Sequence, residues 1–124
     1  GWWILDEPEL HLSGNVLVPD LAGWRRTRMP RLPETAYFTL SPDWVCEILS
    51  PSTVMLDRAK KLAVYAREGI DHAWLVDPAA GTLEVLELAG GHWTILATHF
   101  GSAVVRAEPF IEIELDLGSL WADE

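Results

Sequence analysis

Two short apolar runs, "WVCEIL" at 44–49 and "HAWLVD" at 72–77, bracket a segment whose spacing turns helical from Asp57. Leu62, Tyr65, Ala66 and Gly69 recur at the i, i+3, i+4, i+7 positions of one helical face. Asp57 suits an N-cap or first turn, where it meets orphan N–H groups and the positive end of the helix dipole. Gly69 suits the residue that closes the helix in a left-handed conformation. The pattern predicts a strand at 44–49, a helix at 57–68 and a strand at 72–77. Such a βαβ unit makes its two strands parallel neighbours in one sheet.

The flanking segments add strands on both sides. Trp3–Leu5 and Glu9–Leu12 read as short strands with Pro8 between them, and "SGN" at 13–15 as a turn. In "VLVPDLAGW" Pro19 should bend or end a strand, because proline is tolerated at strand ends and bulges. Residues 25–36 read as loop and Tyr37–Leu40 as extended. "TLEVLEL" at 82–88 alternates apolar and polar residues, and Gly90-Gly91 turns the chain into "HWTILATHF" as a hairpin. "AEPFIEIEL" reads as a last extended piece and "DLGSLW" as a terminal helical turn. The expected fold is an α/β (α+β) domain with a bent mixed sheet and one main helix.

A chain of 124 residues is one domain's worth of material, and 49% apolar with 23% charged residues is ordinary globular composition. No run is apolar and long enough for a membrane span, and no charged leader opens the chain, so a cytoplasmic location is the expectation. The single cysteine, Cys46, excludes an internal disulfide and a cysteine metal cluster. A net charge of −10 opposes a protein relying on non-specific phosphate contacts. The arginines of "WRRTRMPR" cluster in one loop, which reads as a solvated connection. Because Gly1 runs straight into "WWIL", a fragment or a truncated gene product is expected.

Glu47 is the residue that the fold alone does not explain. Val45, Glu47 and Leu49 share one strand face while Cys46 and Ile48 share the other, and both are apolar. A carboxylate buried there is costly unless it is paired, hydrogen-bonded or bound to a metal. Asp20, after "VLVP", is by itself more often a turn residue; its interest lies in meeting Glu47. On the helix, about 100° per residue puts Lys61 at the edge of the core-facing stripe and Lys60 nearly opposite, toward solvent. Asp57 lies one turn before Lys61, so an i, i+4 pair is the plainer reading of that lysine. Two carboxylates that converge can hold a hard divalent ion which keeps several of its own waters. A lysine beside them can orient a water or offset charge on a phosphoryl group. The four histidines are scattered and show no zinc spacing.

The string "VPDLAGW…PDWVCEILSPST…DRAKKLAVYAREGI-HAWLVDP" resembles the Uma-two family of restriction endonucleases, within the PD-(D/E)XK nuclease superfamily. The likeness continues through "TLEVLEL" and "GGHW" to "FIEIELDLGSLW". It implies a restriction-endonuclease-like core, a divalent metal site for Mg²⁺ or Mn²⁺, and DNA as substrate. Asp20 matches the aspartate after proline and Glu47 the second acid. The superfamily pattern places lysine two residues after that acid, where this chain has Leu49, and the resemblance implies that Lys61 on the next helix supplies it. It also implies a further N-terminal helix and hairpin, here missing. Trp2, Trp3 and Leu5 would then be exposed and favour association, so a homodimer enters the expectations. Glu9 is a weaker candidate for an accessory ligand.

Three functions remain open at this stage. The first is a Mg²⁺-dependent endonuclease with Asp20 and Glu47 on the metal and Lys61 assisting. The second is a catalytically inactive nuclease-fold module that binds a partner. The third is a structural domain in which Arg58 or Lys61 satisfies Glu47.

Overall fold

The computed structural model describes residues 1–50 and 55–121. Its centre is the pair formed by β5 (Trp44–Ile48) and β6 (His72–Asp77), parallel neighbours joined through helix α1 (Met55–Arg67). This is the expected βαβ unit. Asp57 lies in the helix's first turn, and Gly69 follows the last one at φ 74°. The "PST" at 51–53 of the family-like string lies outside the described residues.

Four more strands complete one six-stranded mixed sheet in the order β1-β4-β5-β6-β7-β8. On one side β4 (Leu21–Arg25) runs antiparallel to β5, and β1 (Trp2–Asp6) antiparallel to β4. On the other, β7 (Thr82–Ala89) and β8 (His92–Phe100) form the expected hairpin. Its turn, Gly90-Gly91, has φ of 58° and 80°, a conformation that costs glycine little and other residues much. Pro19 does end a strand: β3 (Asn15–Leu17) pairs with β2 (Leu10–Leu12) in a separate small ribbon, and the chain joins the main sheet only after Asp20. The ribbon is tied on by a bridge between Leu10 and Phe38.

Alternation along β5 and β6 sends side chains to two cores. Val45, Ala73 and Leu75 face α1 and pack with Leu10, Trp24 and Tyr65. Trp44, Cys46, Trp74 and Val76 face the other way, where the C-terminal segment covers them with Ala107 and Leu117. Period two in the sequence therefore becomes two apolar layers, as expected for a sheet buried on both faces.

Two expectations need correction. "AEPFIEIEL" is not an extended piece: turns at Ala107–Phe110 and Phe110–Ile113 break it, and only Leu115–Asp116, as β10, pairs with β9 (Val104–Val105). Phe110 turns inward against Trp2, Trp44 and Trp74, with ring centroids 4.8–5.7 Å apart, while Ile111 and Ile113 stay exposed. The terminal helical turn is found as a 3-10 turn at Leu117–Leu120. Nor are Trp2, Trp3 and Leu5 left exposed. Phe110 covers Trp2, the Trp3 indole donates to the Met29 carbonyl at 2.9 Å, and Leu5 packs on the helix-side core. The association expected from those three residues has no such surface to rest on.

Candidate active site

Glu47 stands on the helix-facing side of β5 and is buried, at 7% exposure. Both of its oxygens are engaged by α1. Lys61 Nζ donates to Oε1 at 3.2 Å, and the Tyr65 hydroxyl donates to Oε2 at 2.7 Å. Lys61 and Tyr65 are four residues apart, so one helical turn presents both donors to the strand below. The same ammonium reaches the Val18 carbonyl at 3.4 Å, linking α1 to the segment that leads into Asp20.

Asp20 arrives from the neighbouring strand. Leu21 pairs with Cys46 in the antiparallel ladder, so the next step along it sets Asp20 beside Glu47. There its Oδ2 accepts from the Ile48 backbone N–H at 2.6 Å. The structure thus brings Asp20, Glu47 and Lys61 together at one end of the sheet.

Electrostatics record the crowding. Burial lifts the Glu47 carboxyl above its usual range, the donors Tyr65 and Lys61 pull it back, and the Asp20 carboxylate adds to the rise. Burial, then the Glu47 and Asp20 charges, push the Tyr65 phenol far above its ordinary value, so it remains a donor. Cys46 is pushed up to about 12, first by burial and then by the same two carboxylates, which makes it an inert thiol.

Beside this cluster lies a cleft of about 390 Å³, with residues 15–18 on one wall and Asp57, Lys60, Lys61 and Val64 on the other. Lys60, expected to point toward solvent, is exposed and lines the same surface cleft. Among the described residues no three histidine, cysteine, aspartate or glutamate side chains gather as a ready-made metal cage.

Other charged candidates are employed elsewhere. The Glu9 carboxylate meets His11 Nε2 at 2.6 Å. The arginine loop sits at the far end of β4 from Asp20 and is more than a solvated connection. Arg25 and Arg26 lie over the rings of Trp2 and Trp3 at 4.5 and 3.9 Å, and Arg28 meets Asp43 at 3.0 Å. Asp43, the acid of the second Pro-Asp pair, is buried and also accepts from the Arg25 N–H at 2.8 Å. Of the two Pro-Asp pairs, then, one reaches Glu47 and the other pins a loop. Tyr65 is the residue that sequence reasoning missed. Its signal was a tyrosine inside the apolar stripe of a helix, whose hydroxyl must find a partner when buried.

The comparisons agree with this architecture. The chain is similar to the crystal structure of a putative nuclease belonging to DUF820 from Anabaena variabilis, with 24% identity and a TM-score of 0.77. The match covers 97% of this chain and 68% of that one, and at this identity it supports the fold. No curated protein matches the chain. No helix among the described residues is long and apolar enough to cross a membrane. The model of one family, described as "Putative restriction endonuclease", matches residues 2–118, nearly the whole chain. The chain belongs to that family, Uma2.

Proposed function

We propose that the protein is a divalent-metal-dependent nuclease that hydrolyses phosphodiester bonds in DNA. The observation that carries this is the cost of the cluster. Glu47 is buried beside a second acid and under an ammonium, an arrangement for which apolar residues of similar volume would generally serve stability as well or better. The donor set fits Mg²⁺ or Mn²⁺. Two carboxylates, with no all-protein cage among the described residues, suit a hard ion that keeps waters and shares substrate oxygens. Asp20 and Glu47 would hold it. When bound, such an ion supplies Lewis acidity toward a phosphoryl oxygen and acidifies a water.

The chain's own residues do the rest. Lys61 directs an ammonium at the same point, able to orient the attacking water or offset negative charge on the phosphorane. The Ile48 N–H fixes the Asp20 side chain through Oδ2. The adjoining cleft sets Lys60 and Lys61, with Asp57 beside them, along one wall, so two ammonium groups can meet the substrate backbone on a protein of net charge −10.

A second reading has its own observation: Lys61 and Tyr65 already satisfy Glu47, as a structural ion pair in an inactive binding module would require. Plasmid nicking in Mg²⁺ separates the two. A nuclease loses about 10²-fold or more of its rate in Lys61→Ala and in Glu47→Ala. No Mg²⁺-dependent nicking by the unmodified protein would reject the nuclease reading.

A further inference from the structure

A glutamate carboxyl group turns about a broad, roughly two-fold χ3 torsion, so one hydrogen bond does not fix its plane. Two donors, one on each oxygen, do. Glu47 has such a pair in Lys61 and Tyr65, but the two donors differ in kind. Lys61 sits at the end of a flexible stem, is partly solvated, and splits its ammonium between Glu47 and the Val18 carbonyl. Tyr65 has two torsions, a ring at 0% exposure packed in the helix-side core, and a hydroxyl that donates to Glu47 at 2.7 Å.

In the metal-nuclease reading, on which this inference rests, Lys61 must turn toward water or phosphate, and in doing so it leaves Oε1. The carboxylate would then swing unless something else held it. We propose that Tyr65 is that anchor: a positioning residue that keeps Glu47 in its metal-holding orientation while Lys61 exchanges between Glu47 and the substrate. The helix contributes a fixed donor and a movable one from a single turn.

The test is Mn²⁺ titration by calorimetry on the full chain and on Tyr65→Phe, Lys61→Ala and Glu47→Ala, each first checked for its fold by circular dichroism. Tyr65→Phe should weaken Mn²⁺ binding about 10–100-fold, the usual effect of losing a group that orients a ligand. Lys61→Ala should leave affinity unchanged or tighter while abolishing nicking. Val85→Ala, on the opposite face of the sheet, supplies a destabilised control and should bind Mn²⁺ normally. Equal Mn²⁺ affinity in Tyr65→Phe and the unmodified protein overturns the anchor alone, as does equal weakening in Val85→Ala. Failure of the unmodified protein to bind Mn²⁺ at all removes the metal site and the anchor with it. A second measurement needs no variant. The Tyr65 hydroxyl proton, followed by NMR, should stay protected from exchange at saturating Mg²⁺, and its loss on saturation refutes the proposal.

Discussion

Removing one oxygen atom probes the cluster most cleanly. Tyr65→Phe keeps the buried ring and deletes the donor to Glu47 Oε2. A hydrogen bond to a charged group contributes about 1.5–3 kcal/mol. With an unfolding entropy of about 2.1 cal/mol/K per residue over the 124 residues, the melting temperature should fall by about 6–11 °C. The loss should also depend on pH in a fixed sense. Burial raises the Glu47 carboxyl above its reference value of 4.5 despite the two donors. Folding therefore favours the protonated form. That contribution is complete below the unfolded value and is lost as pH rises through the raised folded one. Without the phenol the folded value rises further, and more stability is lost at neutral pH. The difference between the two proteins should thus grow from about 0.5–1.5 kcal/mol in acid, where the partner is a neutral carboxyl, to about 1.5–3 kcal/mol near neutrality. Urea denaturation across the acid-to-neutral range measures it. A difference that stays flat with pH, or vanishes at neutrality, refutes the assignment of Tyr65 as the donor to an ionised Glu47.

Asp20→Asn keeps an acceptor for the Ile48 N–H and should change stability by under about 1 kcal/mol in urea melts, yet abolish Mn²⁺ binding by calorimetry. Cys46, buried with its thiol pushed up to about 12, should resist alkylation in the native protein and react only after denaturation, as mass spectrometry would report. Lys60→Ala should weaken binding of a labelled DNA duplex uniformly across sequences and reduce the salt slope by about 0.9, the value for one phosphate contact; an unchanged slope excludes Lys60 from the contact.

Much of the fold was legible because local signals agreed with it. The βαβ unit followed from a change of period between 44–49 and the helix, and the β7–β8 hairpin from Gly90-Gly91. Pro19 marked a strand end because a missing N–H leaves a ladder incomplete. The convergence of Asp20, Glu47 and Lys61 was not written in any local period. It depended on an antiparallel register, Leu21 opposite Cys46, that only the folded sheet fixes. The family likeness supplied what spacing could not. Tyr65 escaped notice because a stripe residue reads as apolar, and its hydroxyl matters only once a carboxylate lies beneath it. Residues 107–114 misled for a third reason. They read as extended locally, but Phe110 packs edge-on against the Trp44 and Trp74 rings, a partner distant in sequence that the local pattern does not show.

The most direct test of the central claim is a crystal of this chain soaked in Mn²⁺ and measured at the manganese absorption edge. An anomalous peak beside the Asp20 and Glu47 carboxylates, with Tyr65 still on Oε2, is the expected result. A crystal in which those carboxylates attract no ion, and Lys61 stays on Glu47 at high Mn²⁺, would contradict it.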